Sequence, residues 1–270
     1  MADHSSSEPS ERHEADRKSL SSIAKEQQYS IIDHSQQHLD QESDDYVPTK
    51  PVSSACLLKE QLDATGHEKW GWVIYRTDYS NDEAWVKFKE IIETRSRDSI
   101  ARCGDAGGLE EKLEWVFIED RISLDGATID QLRAHFKPWA EEAAQRERPV
   151  AFDPGKGVGR HARYDYFIRA DLDAISSVID DKLHEHEPEV NIIGHVDFAA
   201  ALYINEPLED ILGDLDVTEL DDPVEGCYAD DVGWMRIPVA MLNAAWYITI
   251  EPVTWHVYYH RPYELADSFW

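Results

Sequence analysis

Apolar positions thicken abruptly at Trp70-Gly71-Trp72-Val73-Ile74-Tyr75-Arg76. A run so nearly unbroken suits a strand covered on both faces. Trp85, Phe88 and Ile92 then recur at helical spacing, with Ile91 widening the stripe, behind Ser80-Asn81-Asp82-Glu83. That tetrapeptide is a capping-box pattern, in which the hydroxyl accepts a first-turn N–H and the glutamate reaches back. The helix is expected to fade near Arg97, before the glycine-rich turn at 103–108. Leu113, Trp115 and Phe117 share one parity and predict a second strand. Thr128-Ile129-Asp130-Gln131 is a second capping box, and Leu132, Phe136, Trp139 and Ala143 continue its helix. Pro138 is expected to kink or split it, because proline lacks the N–H and crowds the preceding turn.

The same alternation reappears twice. Residues 163–169 alternate in part and predict a strand, and Asp171 is placed to cap a helix through Leu172, Ile175, Ile179 and Leu183. Val196, Phe198, Ala200, Leu202 and Ile204 share one parity and predict a fourth strand. Trp234–Val239 reads as strand, Ala240–Ala245 as a short helix and Trp255–Tyr259 as a last strand. The order predicts an α+β fold: a mixed or antiparallel sheet built from ferredoxin-like βαβ-type units, with helices packed mainly on one face.

Residues 1–64 break with this pattern. They are rich in Ser, Glu, Gln, Asp and His, carry Tyr29 and Tyr46 as their only aromatics, and hold none of the nine tryptophans. Such a segment buries too little apolar area to offset a backbone entropy cost of about 1–2 kcal/mol per residue. It is expected to be a disordered acidic arm, with Cys56-Leu57-Leu58 packing as a short helix on a single domain over residues 65–270.

The quoted motifs also carry a resemblance. The 70–76 run, Leu113-Glu114-Trp115, Asp125-Gly126-Ala127, Gly233-Trp234-Met235 and Tyr258-Tyr259-His260-Arg261-Pro262 resemble a family of uncharacterised proteins from filamentous fungi. The likeness spans roughly residues 66–265. It implies one domain and transfers no activity.

Charge narrows the partners. Twenty-six Lys and Arg stand against 55 Asp and Glu, a formal net charge of −29. Such a surface repels phosphate backbones and anionic membranes, so neither nucleic acid nor membrane is an expected partner. Cys56, Cys103 and Cys227 are far apart and odd in number, which suits a reducing compartment. The first residues lack a basic stretch followed by an apolar one. A cytoplasmic or nuclear location is the resulting expectation.

Candidate chemistry is sparse. Two strand exits read alike: Tyr75-Arg76-Thr77-Asp78 and Ile168-Arg169-Ala170-Asp171. If both arginines face one crevice, Arg76, Asp78, Arg169 and Asp171 would hold an anion bidentately. A local ion pair plus a helix cap accounts for the same residues. His195 and Asp197 share a strand face and would make a base and its orienter, but no G-x-S-x-G nucleophile elbow occurs. The 155–161 glycine-rich loop lacks phosphate-loop spacing and precedes a strand rather than following one. Asp214, Asp216, Thr218, Leu220, Asp222 and Glu225 match calcium-loop offsets, yet Glu219 stands where that loop needs glycine. His184-Glu185-His186-Glu187 spaces its histidines wrongly for a helical metal site. A terminal Phe269-Trp270 is expected to dock on the domain or a partner. The reading is a binding domain for a protein or small ligand, with no metal and no cofactor. The alternative is an enzyme acting on a small anionic metabolite between Arg76 and Arg169, with His195 nearby.

Overall fold

The computed structural model describes residues 52–103, 107–147, 161–180, 194–204, 207–212, 217 and 220–266, all within the unit Val52–Trp270. Residues 1–51, the 155–160 loop, His184–Glu187, Asp214, Asp216 and Phe269-Trp270 lie outside the described residues.

Elements in chain order are α1 (Ser54–Thr65), β1 (Val73–Arg76), α2 (Asp82–Cys103), β2 (Val116–Ile118), α3 (Arg121–Leu124), α4 (Ile129–Arg146), α5 (Ala162–Asp165), β3 (Tyr166–Ala170), α6 (Leu172–Ile179), β4 (His195–Ala200), α7 (Leu208–Leu212), β5 (Trp234–Pro238), α8 (Ala244–Thr249) and α9 (Trp255–Tyr258). The strands form one mixed sheet in the order β2-β1-β3-β4-β5. β1 runs parallel to both β2 and β3, whereas β4 is antiparallel to β3 and to β5. The fold is therefore α+β.

Two apolar clusters lie on opposite faces, as strand alternation requires. On one face Trp72, Ile74, Ile168, Phe198, Met235 and Ile237 pack beneath α1, α2, α6, α8 and α9. On the other Val73, Tyr75, Phe167, Ala199 and Trp234 pack beneath α4 through Leu132, Phe136 and Ala140. Most helices cover the first face, and the 18-residue α4 covers the second. The division follows from strand order. The α2 crossover carries the chain from β1 outward to β2, and the α4 crossover carries it back past β1 to β3. Two crossovers of one hand running in opposite directions put their helices on opposite faces.

Several boundaries differ from the sequence expectation. Folded structure begins before residue 65. α1 buries Ala55, Leu58 and Leu62 completely, is capped by Ser53 and stops at Gly66 with φ 71°. α2 runs on to Cys103 because Ser96 holds the next place on its apolar stripe, its hydroxyl donating to the Ile92 and Leu242 carbonyls, and Ile100 continues the stripe. Asn81, not Ser80, caps this helix. α4 is continuous through Pro138. Pro138 and Ala134, whose carbonyl loses its partner, both face solvent, so that carbonyl is open to water. Its Thr128–Gln131 capping box forms as expected. Trp255–Tyr258 is a helical turn rather than a strand.

At the sheet margins, β5 is covered by a bridge from Arg236 to Leu265. β2 is three residues long and half-buried.

Candidate functional site

Parallel strands deliver their carboxyl ends to one side of the sheet. Where neighbouring crossovers leave for opposite faces, a crevice opens between those ends. Here β1 leaves for α2 on one face and β2 for α4 on the other, and the crevice spans the carboxyl ends of β1, β2 and β3. The crevice measures about 570 Å³ and is lined by Thr77 and Asp78 after β1, Asp125, Gly126 and Ala127 after β2, and Arg169, Asp171, Leu172, Asp173 and Ser176 around the β3–α6 junction.

Its floor is tied together by backbone. The Thr77 N–H donates to the Ala170 carbonyl at 3.0 Å, and the Gly126 N–H donates to the Thr77 carbonyl at 2.9 Å. The aspartates are anchored by single oxygens. Asp78 Oδ2 accepts from the Ser80 hydroxyl at 2.7 Å, Asp171 Oδ1 caps α6 at the Ala174 N–H at 2.8 Å, and Asp173 Oδ2 meets Arg236 Nη2 at 2.8 Å. Asp125 is exposed, at the end of α3.

Asp78, Arg169 and Asp171 thus meet in one crevice, and Arg76 does not join them. The β1–β3 register sets Tyr75 opposite Arg169 and Arg76 opposite Ala170, so the two arginines point to opposite faces of the sheet. The pairing of two arginines on one anion is corrected accordingly. Arg76 is buried and committed: its Nε donates to the Asp78 carbonyl at 2.7 Å, its Nη2 meets Asp82 Oδ1 at 2.6 Å, and its guanidinium lies 4.4 Å from the Tyr79 ring centre.

Behind the crevice wall runs a chain of alternating charges. Arg169, Asp197 and Arg236 stand directly opposite one another on β3, β4 and β5. Arg169 Nε and Nη2 both reach Asp197 Oδ2, at 3.0 and 2.8 Å, while Nη1 donates to Glu225 Oε1. Arg236 Nε lies 3.5 Å from Asp197 Oδ1, and His195 Nε2 lies 3.5 Å from Asp173 Oδ2. His195 and Asp197 share a face, but the carboxylate turns to the arginines, so no base-and-orienter pair forms. Burial and then Arg236 hold the His195 pKa below its ordinary value. Glu225, a candidate calcium ligand, is occupied by Arg169 and by the Ile129 N–H. Among the described residues no group of three His, Cys, Asp or Glu is placed to hold a metal ion.

Asp197 is fully buried, and that burial pushes its pKa up to about 6 despite the pull of Arg169. A carboxyl with a raised folded pKa binds a proton more readily in the native state. Its contribution to stability is therefore greatest below pH 4 and declines as pH rises to 6, by about 3 kcal/mol in total. Asp197→Asn keeps the shape, and each arginine retains another carboxylate, Glu225 or Asp173. The variant is expected to match wild type near pH 4.5 and to exceed it at pH 7.5 in urea unfolding. Wild type proving the more stable at pH 7.5 would mean that the arginines outweigh burial.

Sequence reasoning missed Thr77, Asp125, Gly126, Asp173, Ser176 and Arg236 as members of this site, and placed Glu225 only as a calcium-loop offset. The available signal was position: Asp125-Gly126 follows a strand and precedes a capping box, as residues at the mouth of a parallel sheet do. No family model, curated protein or solved structure matches the chain. No helix among the described residues is long and apolar enough to cross a membrane.

Proposed function

We propose that this chain is a binding protein for a small, polar metabolite carrying a positive charge, seated in the crevice between the β1 and β3 exits. The observation that carries this reading is the convergence of Asp78, Asp125, Asp171 and Asp173 on one open crevice at the carboxyl ends of β1, β2 and β3. Carboxylates gathered from three separate connections set a negative potential that low-dielectric walls focus on the opening. Arg169, the one arginine among the described lining residues, already holds Asp197 and Glu225, which argues against an anionic metabolite gripped by arginine alone. Leu172 and Ala127 add an apolar surface for a short methylene chain. The role is binding without turnover, in keeping with the absence of a nucleophile elbow from the sequence. Net acidity disfavours nucleic acid.

Calorimetric titration with putrescine and agmatine tests it. Wild type is expected to bind at least one of them, and Asp78→Asn/Asp125→Asn to bind it about tenfold more weakly, a loss of about 1.4 kcal/mol. Neither Asn removes a buried ion pair, so the melting temperature should hardly move. Equal binding by the double variant, or binding of acetate and phosphate in preference to the amines, overturns the proposal.

A further inference from the structure

Leu265 lies along β5, and β2 is the margin of the sheet that no strand of the described residues covers. The chain runs extended beside β1 for longer than the three residues of the strand itself. The Trp70 N–H donates to the Lys112 carbonyl at 3.0 Å, the Glu114 N–H to the Trp70 carbonyl at 2.9 Å and the Val116 N–H to the Trp72 carbonyl at 3.1 Å. Lys112, Glu114 and Val116 thus turn their backbone groups toward β1. Alternation turns those of Trp115 and Phe117 to the outside. There two N–H donors and two carbonyl acceptors stand in strand geometry with no neighbouring strand among the described residues.

The side chains share this openness. Trp115 and Phe117 pack at the rim of one apolar cluster, Val116 and Ile118 belong to the other face or its rim, and all four are half-buried. A segment laid beside β2 covers apolar surface on both faces of the sheet while it pairs with the outward backbone, the mode by which extended peptides join exposed sheet edges. Charge says what that segment carries. Glu110 and Glu111 precede the strand and Glu119 and Asp120 follow it, all exposed. The neighbouring cations are engaged. Lys112 Nζ lies 3.0 Å from Asp63 Oδ1 and Lys89 Nζ 2.8 Å from Glu119 Oε1, and Arg121 Nη2 donates to the Tyr79 carbonyl at 3.2 Å. Both ends of the open edge are left acidic. An anionic segment is repelled at both, and a basic one is held at both.

We propose that the outer edge of β2 is a docking site for an extended basic segment of a partner protein, which joins the five-stranded sheet as a further strand. About five residues, the usual length of a strand, pair along Leu113–Glu119. Lysines or arginines beyond them reach Glu110 and Glu111 at one end and Glu119 and Asp120 at the other. The backbone by itself offers few bonds, so the terminal charges decide whether a segment stays. None of these residues lines the crevice, and docking here is independent of what the crevice binds.

Three peptides blocked at both ends test this by fluorescence anisotropy against the full chain. The first is Lys-Lys-Thr-Val-Thr-Val-Thr-Lys-Lys. The second carries glutamate in place of every lysine. The third is the basic peptide N-methylated throughout its Thr-Val-Thr-Val-Thr centre, which removes the central donors and keeps the charge. The first is expected to bind more tightly than either of the others by a factor of about ten or more. Its affinity should fall as salt rises from about 0.1 to 1 M and the Debye length shrinks from about 10 to 3 Å. Its binding should slow amide hydrogen exchange at Trp115 and Phe117, a readout that needs no variant. Glu110→Gln/Glu111→Gln leaves both apolar clusters intact and should weaken the basic peptide roughly three- to tenfold, as the loss of two exposed pairs implies. Equal binding of the N-methylated peptide would mean that charge alone attracts the probe. That result, binding of the acidic peptide as tight as that of the basic one, no binding of the basic peptide, or unchanged exchange at Trp115 and Phe117 would each overturn the inference.

Discussion

Arg163→Ala should cost about 3–5 kcal/mol of folding stability, the range for removing one partner of a buried ion pair. Arg163 is fully buried. Its Nε donates to Glu147 Oε2 at 2.7 Å and its Nη2 to Glu114 Oε2 at 2.6 Å, while Nη1 donates to the Glu114 carbonyl at 2.8 Å. Burial pulls its pKa down, and the bond and charge of Glu147 more than offset this, so the net direction is upward. Removing the guanidinium strands Glu147, only 7% exposed, with little beside it but the Tyr164 hydroxyl and Arg146. At roughly 2–4 °C per kcal/mol for a domain of this size, thermal unfolding should begin some 6–20 °C earlier. Arg163→Met/Glu147→Leu should recover much of the loss, because an apolar pair leaves no charge buried. A loss under about 1 kcal/mol for Arg163→Ala would count against this assignment.

Gly194→Ala should be comparably damaging, at roughly 2–5 kcal/mol, from left-handed strain together with overpacking. Gly194 has φ 69°, and a Cβ there would lie 2.6 Å from Val178 Cα, 2.7 Å from Val178 N and 2.8 Å from the Ser177 carbonyl carbon. These are backbone atoms of α6, which cannot turn aside as a side chain does. Relief requires α6 to move away from the start of β4, where the Ser177 hydroxyl now accepts from the His195 N–H at 3.0 Å. Because Asp171 caps α6 and Asp173 lies in its first turn, the damage should extend to the crevice. Gly126→Ala is the comparison. Its φ is 69° as well, but nothing lies within 4 Å of a Cβ there, so only the strain of about 1–2 kcal/mol applies. Chemical denaturation of both variants checks the difference, and equal losses would show that the contact with α6 is immaterial.

What was legible in the sequence was local. The Thr128 capping box, the Asp171 cap, the covering of both faces of the 70–76 strand and the α2 stripe each depend on residues a few positions apart, and each appears in the structure. The candidate site was legible only in part. Asp78, Arg169 and Asp171 fall where strand exits were read, but the likeness of the two Arg-x-Asp motifs misled. Both arginines sit at a strand's end, Arg76 last in β1 and Arg169 last but one in β3. Pairing offsets them by one residue, and a one-residue offset reverses the face of a side chain. Register is set by long-range pairing and cannot be read from a tripeptide. Asp173, Glu225 and Arg236 come from three separate segments, and only the strand order joins them. In the sequence Glu225 was one offset of a calcium-loop match, while its position is defined by Arg169, 56 residues away.

The margins of the sheet differ in a way that bears on life at high concentration. One side is closed by Leu265 lying along Arg236. The other ends in β2, whose outer backbone groups are a template on which a neighbouring copy can add a strand. Three residues offer little template. Glu110, Glu111 and Glu114 precede them, and Glu119 and Asp120 follow, so any copy aligning there brings like charges together. In a crowded solution this edge should resist stacking into ribbons, because its acidic flanks keep neighbouring copies apart.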